Sequence, residues 1–143
     1  MRIVLLGGKS QTTLFMYNAL KYSFQIDKVI IENSVPSIQL IKGRVKKLGI
    51  LKVINQLLFQ LTISKLVHLL SKKRINALKK HYNLFADPIE LDKIQTIGSV
   101  NDLECIIVLK ELNPDVIIVN GTRIIGSKVL DSIPAIFINT HAG

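Results

Sequence analysis

The sequence holds one cysteine, Cys105, so no intrachain disulfide can form, which fits a reducing compartment. No carboxylate lies between Ser37 and Ala86. No apolar run is long and clean enough to cross a bilayer. The greasiest stretch, Leu48 to Leu70, is broken by Lys52, Asn55, Gln56, Gln60, Lys65 and His68, whereas a span needs about 20 predominantly apolar residues. The apolar start, Ile3 to Leu6, is too short for a signal-peptide core and runs into Gly7-Gly8. There are no internal repeats and no low-complexity tracts. These absences predict a chain that is soluble or peripheral, and cytoplasmic.

What is present is a globular composition, 48% hydrophobic and 20% charged, in 143 residues. That length suits one domain or a piece of one. The formal charge of +9 is unevenly placed. The window from Ser37 to Ala86 holds eleven basic residues and no acidic one, a charge of +11. Elsewhere eight basic residues face ten acidic ones, a charge of −2. The basicity therefore belongs to one segment on a near-neutral frame, and such a segment points to polyanions.

Periodicity sets out the frame. RIVLL, Arg2 to Leu6, reads as a buried parallel strand ending at Gly7-Gly8. Ser10 can cap a helix over 11–22, with Leu14, Tyr17, Ala19 and Leu20 inward. DKVIIE, Asp27 to Glu32, gives a second strand and completes a βαβ unit. Next comes a long helical stretch over 37–80, broken near Thr62-Ile63 or Ser71. Within it Ile54, Leu57, Leu58 and Leu61 share one face. Further on, Ile94-Gln95-Thr96 suggests a short strand. Ser99 or Asn101 can cap a helix to Leu112, with Leu103, Ile106, Ile107 and Leu109 inward. Val116 to Val119 and Ala135 to Asn139 read as strands, with a short helix over 128–132 between them. The expected fold is α/β: an open, Rossmann-like, mostly parallel sheet with flanking helices and a long basic helical insert over about 37–86.

Ligands of such sheets bind beyond the carboxyl ends of the strands, where three stretches carry chemistry. Gly7-Gly8-Lys9-Ser10 comes after a strand and opens a helix, so its backbone N–H groups suit an anion. It is neither a P-loop, which would need glycine where Ile3 stands, nor a dinucleotide fingerprint, because the next glycine is Gly43. The alternative is a tight turn with an incidental lysine. In Asn139-Thr140-His141, extended geometry puts the amide and the imidazole on one side. An amide N–H can donate to a developing oxyanion and a histidine can shuttle a proton, as acyl-type transfer requires. Standing alone, the same triplet is more often structural. No cysteine, second histidine or carboxylate stands beside it at ligand spacing, so no metal site is expected. In Asn120-Gly121-Thr122-Arg123-Ile124-Ile125, Gly121 allows close backbone approach, Arg123 can pair with an acidic ligand group, and the isoleucines can line an apolar slot. The competing reading is an ordinary loop with a solvated arginine.

The order RIVLLGG … LNPDVIIVNGTRIIGSKVLDSIPAIFINTHAG resembles the folate-dependent formyltransferase family. That family includes glycinamide-ribonucleotide, methionyl-tRNA and nucleotide-sugar formyltransferases. The likeness is continuous from Leu112 to Gly143, weaker over Arg2 to Ser10, and has no purine-enzyme counterpart over 37–86. The insert looks more like that of formyltransferase-like proteins linked to sugar and surface-polysaccharide modification. The resemblance implies formyl transfer from 10-formyltetrahydrofolate, as co-substrate, to a substrate amine. Asn139 then resembles the asparagine that hydrogen-bonds the formyl oxygen, and His141 the histidine that moves the proton of the attacking amine. Gly121, Thr122, Arg123, Ile124 and Ile125 resemble the loop that meets the pterin ring. Gly7, Gly8, Lys9 and Ser10 stand where a substrate phosphate is held. An amino sugar on a nucleotide carrier is the preferred acceptor, ahead of glycinamide ribonucleotide and methionyl-tRNA. The family's catalytic aspartate lies a few dozen residues beyond the N-x-H motif, and the sequence ends before it. The expectation is therefore the N-terminal part of such a domain, with little turnover by itself. From another class, the chain can be an inactive binding module.

Four roles compete for the basic segment: a solvated face of helices packed on the sheet, contact with an anionic membrane or lipid-linked carrier, a grip on tRNA phosphates, and a partner contact through Leu57, Leu58, Phe59 and Leu61. Nucleic acid is the weaker case, because the segment's only aromatics are Phe59, Tyr82 and Phe85.

Overall fold

Strand β1, Ile3–Gly8, is buried at every residue, as a continuous apolar run in the middle of a parallel sheet should be. The computed structural model describes residues 1–140. In chain order, helix α1 (Gln11–Leu20) and strand β2 (Ile26–Glu32) come after β1. Helices α2 (Ser37–Leu48), α3 (Ile50–Phe59) and α4 (Lys65–His81) make up the next segment, with a π turn over Gln60–Ser64. Strand β3 (Ile94–Ile97), helix α5 (Leu103–Leu112), strand β4 (Val116–Asn120), helix α6 (Ser127–Leu130) and strand β5 (Ile136–Thr140) complete it. The five strands form one all-parallel sheet in the order β3-β2-β1-β4-β5, a Rossmann-like α/β arrangement. The order reverses between β1 and β4, which is where open sheets of this kind bind ligands.

Two apolar clusters cover the sheet. One joins Val4, Leu6, Ile117 and Val119 to Cys105, Val108 and Leu109 of α5 and Val129 of α6. The other joins Ile3, Leu5, Val29 and Ile118 to Tyr17 of α1 and to Ile89. Three of the expected inward positions are exposed: Ala19, Leu103 and Ile107. In α5 the buried face runs through Cys105, Val108 and Leu109, and Leu103 and Ile107 lie off it. In α1, Thr13 and Asn18 are buried instead of Ala19, because each hydrogen-bonds a carbonyl: Thr13 that of Gly8 and Asn18 those of Leu14 and Asp87. At the sheet edge, Ile136 and Ile138 of β5 stay exposed.

The chain divides into two compact units, 1–34 with 84–143, and Val35–Asn83. The second unit is close to the expected insert, but residues 84–86 belong with the sheet. The helices break at Gly49, whose φ of 82° needs a residue without Cβ. Neither expected break occurs. At Thr62-Ile63 the helix widens into the π turn, and the Thr62 hydroxyl donates to the Leu58 carbonyl at 2.7 Å. Ser71 stays helical. In α3 the expected face does not pack inward: Ile54 and Leu58 are exposed, while Val53 is buried.

After the insert, the returning chain is pinned to α1. Ile89 is buried, Asn18 Nδ2 donates to the Asp87 carbonyl at 3.0 Å, and the Tyr17 hydroxyl donates to the Glu90 carboxylate. Burial, and then that bond, raises the Tyr17 hydroxyl from 10.0 to about 12, and the same bond lowers the Glu90 carboxyl. A raised pKa in the folded state stabilises below the unfolded value and is lost as pH climbs through the folded one. Tyr17 therefore makes the fold lose stability between pH 10 and about 12. A titration of tyrosinate absorbance should show one of the three tyrosines ionising late, and Tyr17→Phe should remove that component and flatten the loss of stability. An unchanged titration in Tyr17→Phe would count against this assignment.

Candidate functional site

The loops after β1 and β4 meet at the point where strand order reverses. A Cβ on Gly8 would lie 2.3 Å from the Gly121 carbonyl oxygen, and one on Gly7 would lie 2.5 Å from Thr13 Cγ2. Gly121 itself has a φ of 69°. The glycines thus permit a backbone approach that no other residue allows. Two cavities border these loops. One, of about 610 Å³, is walled by Thr12, Asn120, Thr122, Ile125, Phe137 and Asn139, among others. The second, of about 490 Å³, is walled by Gly8, Lys9, Ser10, Asn33 and Thr96, among others.

The 121–126 loop is held from outside itself. Glu32, at the end of β2 and 4% exposed, accepts from the backbone N–H of Arg123 and of Val100, each at 2.9 Å. The Arg123 guanidinium pairs with the same carboxylate at 3.1 Å and donates to the Asn33 carbonyl at 3.0 Å. Arg123 borders the larger cavity, but its charge is engaged by Glu32 rather than held for an acidic ligand group. Asn101 clamps the other end of the loop: its Nδ2 donates to the Ile124 carbonyl at 2.9 Å, and its Oδ1 accepts from Gly126 N–H at 2.7 Å. Asp102, not Asn101 or Ser99, holds the cap position of α5. With both clamps in place, Ile124 stands 93% exposed beside the cavity.

At the other loop, Ser10 occupies the cap position of α1, but its hydroxyl makes no cap bond. It contacts the hydroxyls of Thr12 at 2.8 Å and Thr13 at 3.3 Å. The first turn of α1 carries no acidic residue. Its positive end is therefore offset by neither an acidic side chain nor a Ser10 cap, and Lys9 lies beside it.

Asn139 lies near the end of β5, in register with Val119, and with Phe137 it walls the larger cavity. His141 falls outside the described residues. Asn120 lies beside the same cavity at 9% exposure. The single proton of the Thr140 hydroxyl goes to the Val119 carbonyl at 2.8 Å, and the same hydroxyl lies 3.3 Å from the Asn120 amide. Among the described residues, Asn120 Nδ2 has no partner. Turning the amide over would give that nitrogen the Thr140 oxygen and leave the amide oxygen unpaired instead. In both orientations one buried atom of this amide is left without a partner in a residue that walls the cavity.

The sequence pattern gave Glu32 no role, offered Asn101 only as a helix cap, and gave Asn120 no role of its own within the stretch 120–125. A carboxylate closing the buried run DKVIIE and an amide closing VIIVN were the available signals, because a polar residue ending a buried strand needs a partner. Cys105 is buried, and burial together with the nearby Glu32, Asp102 and Glu104 charges, burial first, pushes its thiol up to about 11, which makes it a poor nucleophile. No family model matches the chain, and no curated protein shows significant similarity to it.

Proposed function

We propose that the chain carries a formyl-transfer site that uses 10-formyltetrahydrofolate and a substrate amine. One observation supports this above others: the amide expected to face the formyl oxygen, Asn139, and the loop expected to meet the pterin, Thr122 to Ile125, border a single cavity of about 610 Å³. A flat, amide-rich ring fits such a wall. Ile124, Ile125 and Phe137 supply apolar surface, and Asn120 offers an unpaired polar edge.

The acceptor amine attacks the formyl carbon and forms the new C–N bond, the bond from that carbon to the folate nitrogen breaks, and tetrahydrofolate leaves with the proton given up by the amine. Asn139 donates its amide N–H to the negative charge growing on the formyl oxygen, and His141 takes the proton leaving the amine. Glu32 and Asn101 act one step back, by fixing the loop backbone before the ligand arrives. An amino sugar on a nucleotide carrier is the acceptor this reading favours. Support comes from Lys9 and the α1 N-terminus beside the smaller cavity, which suit a phosphate.

Calorimetric titration with a hydrolysis-stable 10-formyltetrahydrofolate analogue tests the site. Binding is expected. Asn139→Ala should leave that binding within about tenfold; because little turnover is expected of these 143 residues by themselves, the accompanying fall in formyl transfer, on the order of 100- to 1,000-fold, is read in an extended polypeptide that also supplies the family's aspartate. Absence of analogue binding would remove the folate assignment. Binding without any Asn139-dependent transfer would favour the inactive binding module.

A further inference from the structure

The lysines and the exposed leucines of the Val35–Asn83 unit occur on the same helix. α3 and α4 run on through the π turn as one helix of 32 residues, Ile50–His81, about 48 Å long at 1.5 Å per residue. Contrary to the expectation from the sequence, it is long and apolar enough, by length and composition, to cross a membrane, and only 6% of its most apolar stretch is buried. The π turn holds one residue more than an α-turn and so rotates the helix downstream of it by about 100°. With that residue discounted, Leu51, Ile54, Leu58, Leu61, Leu66 and Leu69 recur at alternating spacings of three and four along one face. Each is between 45% and 75% exposed.

The unit carries eleven basic residues and no acidic one. A second copy would bring +11 against +11. An RNA would meet the lysines but leave the leucine stripe in water. An anionic lipid surface satisfies both, since such surfaces take apolar faces into the acyl boundary and cations among the headgroups. A single crossing is incompatible with the connectivity. Both ends of the unit join the same sheet unit, and α2, 12 residues long, spans only about 18 Å of the roughly 30 Å hydrocarbon core.

We infer that the Ile50–His81 helix lies flat on an anionic membrane surface. Its leucine stripe enters the acyl boundary, and Lys52, Lys72, Lys73 and Arg74 are among the residues that meet the headgroups. The chain is thereby held at an anionic membrane surface, independently of what the sheet unit does.

Flotation of the full chain with phosphatidylcholine vesicles, with and without about 30% phosphatidylserine, tests this. Partition should favour the anionic vesicles by at least about tenfold and fall as salt rises from about 0.05 to 0.5 M. Leu58→Gln with Leu69→Gln should lower partition about tenfold while helicity by circular dichroism is kept, because both side chains are exposed. Lys72→Gln with Lys73→Gln and Arg74→Gln should lower it on anionic vesicles only. No flotation at low salt would overturn the inference. So would full flotation by the leucine variant, tRNA binding without vesicle binding, or a dimer abolished by the leucine changes without vesicle binding.

Discussion

Glu32→Ala is expected to lower the stability of the sheet unit by about 2–4 kcal/mol, since two backbone donors lose their acceptor at about 1–3 kcal/mol each while the half-buried Arg123 can be rehydrated. The carboxylate accepts two backbone N–H groups and the Arg123 guanidinium, and it is almost fully buried. Its loss leaves the Val100 and Arg123 N–H groups without their buried acceptor, while the Arg123 guanidinium, 33% exposed, loses its counter-charge but keeps access to water. Urea unfolding monitored by circular dichroism reads the loss. Glu32→Gln keeps one accepting oxygen and should fall between the two. The effect extends beyond stability, because the 121–126 loop forms part of the larger cavity. Binding of the folate analogue should weaken together with the fold. A change under about 1 kcal/mol in Glu32→Ala would mean that the loop holds its shape without the latch.

Gly8→Ala should be the most damaging single methyl group in the chain. The added carbon would meet backbone, the Gly121 carbonyl, at 2.3 Å, so two loops must separate. Overpacking of this kind costs about 1–3 kcal/mol, and here it would push apart the loops at the mouth of the site. Gly43→Ala provides the contrast. Nothing lies within 4 Å of its added carbon, and it sits inside α2, where alanine is favoured over glycine by up to about 1 kcal/mol. The first variant should unfold earlier and bind the analogue less well, and the second should do neither. Equal behaviour of the two would show that the close approach of the loops is dispensable.

The contrast between these glycines also marks how far the sequence could be read. β1, β2 and β4 were visible as apolar runs because a parallel strand buried on both faces has little polar alternation to hide it, and β5 was visible as IFIN although it lies exposed at the sheet edge. Their ends were less visible. Gly7 and Gly8 read as a turn, yet they pair with Ile31 and Glu32 and extend the strand. Local pattern indicates that a residue is polar but not what lies opposite it. Glu32 reaches Arg123 across 91 positions and Asn101 reaches Ile124 across 23. Read alone, Arg123 therefore looked available to a ligand, and Asn101 looked like a helix cap. In the basic segment, periodicity correctly gave helices with an apolar stripe. It could not say whether a core covers the stripe, because the same spacing serves a core, a partner or a lipid surface.

The strand order also bears on how the protein comes to exist. β1 and β4 lie side by side, with Ile3 paired to Val116, and the backbone of Arg2 is tied to the Asp115 carboxylate across 113 positions. Loop closure of that length must precede any reward from the central ladder, and such non-local pairing slows folding. The cavity opens where those two strands end, so it cannot be assembled from the β1–α1–β2 unit as that unit leaves the ribosome. Competence to bind a ligand then arises late, when β4 and β5 have both docked, and a chain arrested before that point would carry its glycine loop and its lysines but no pocket.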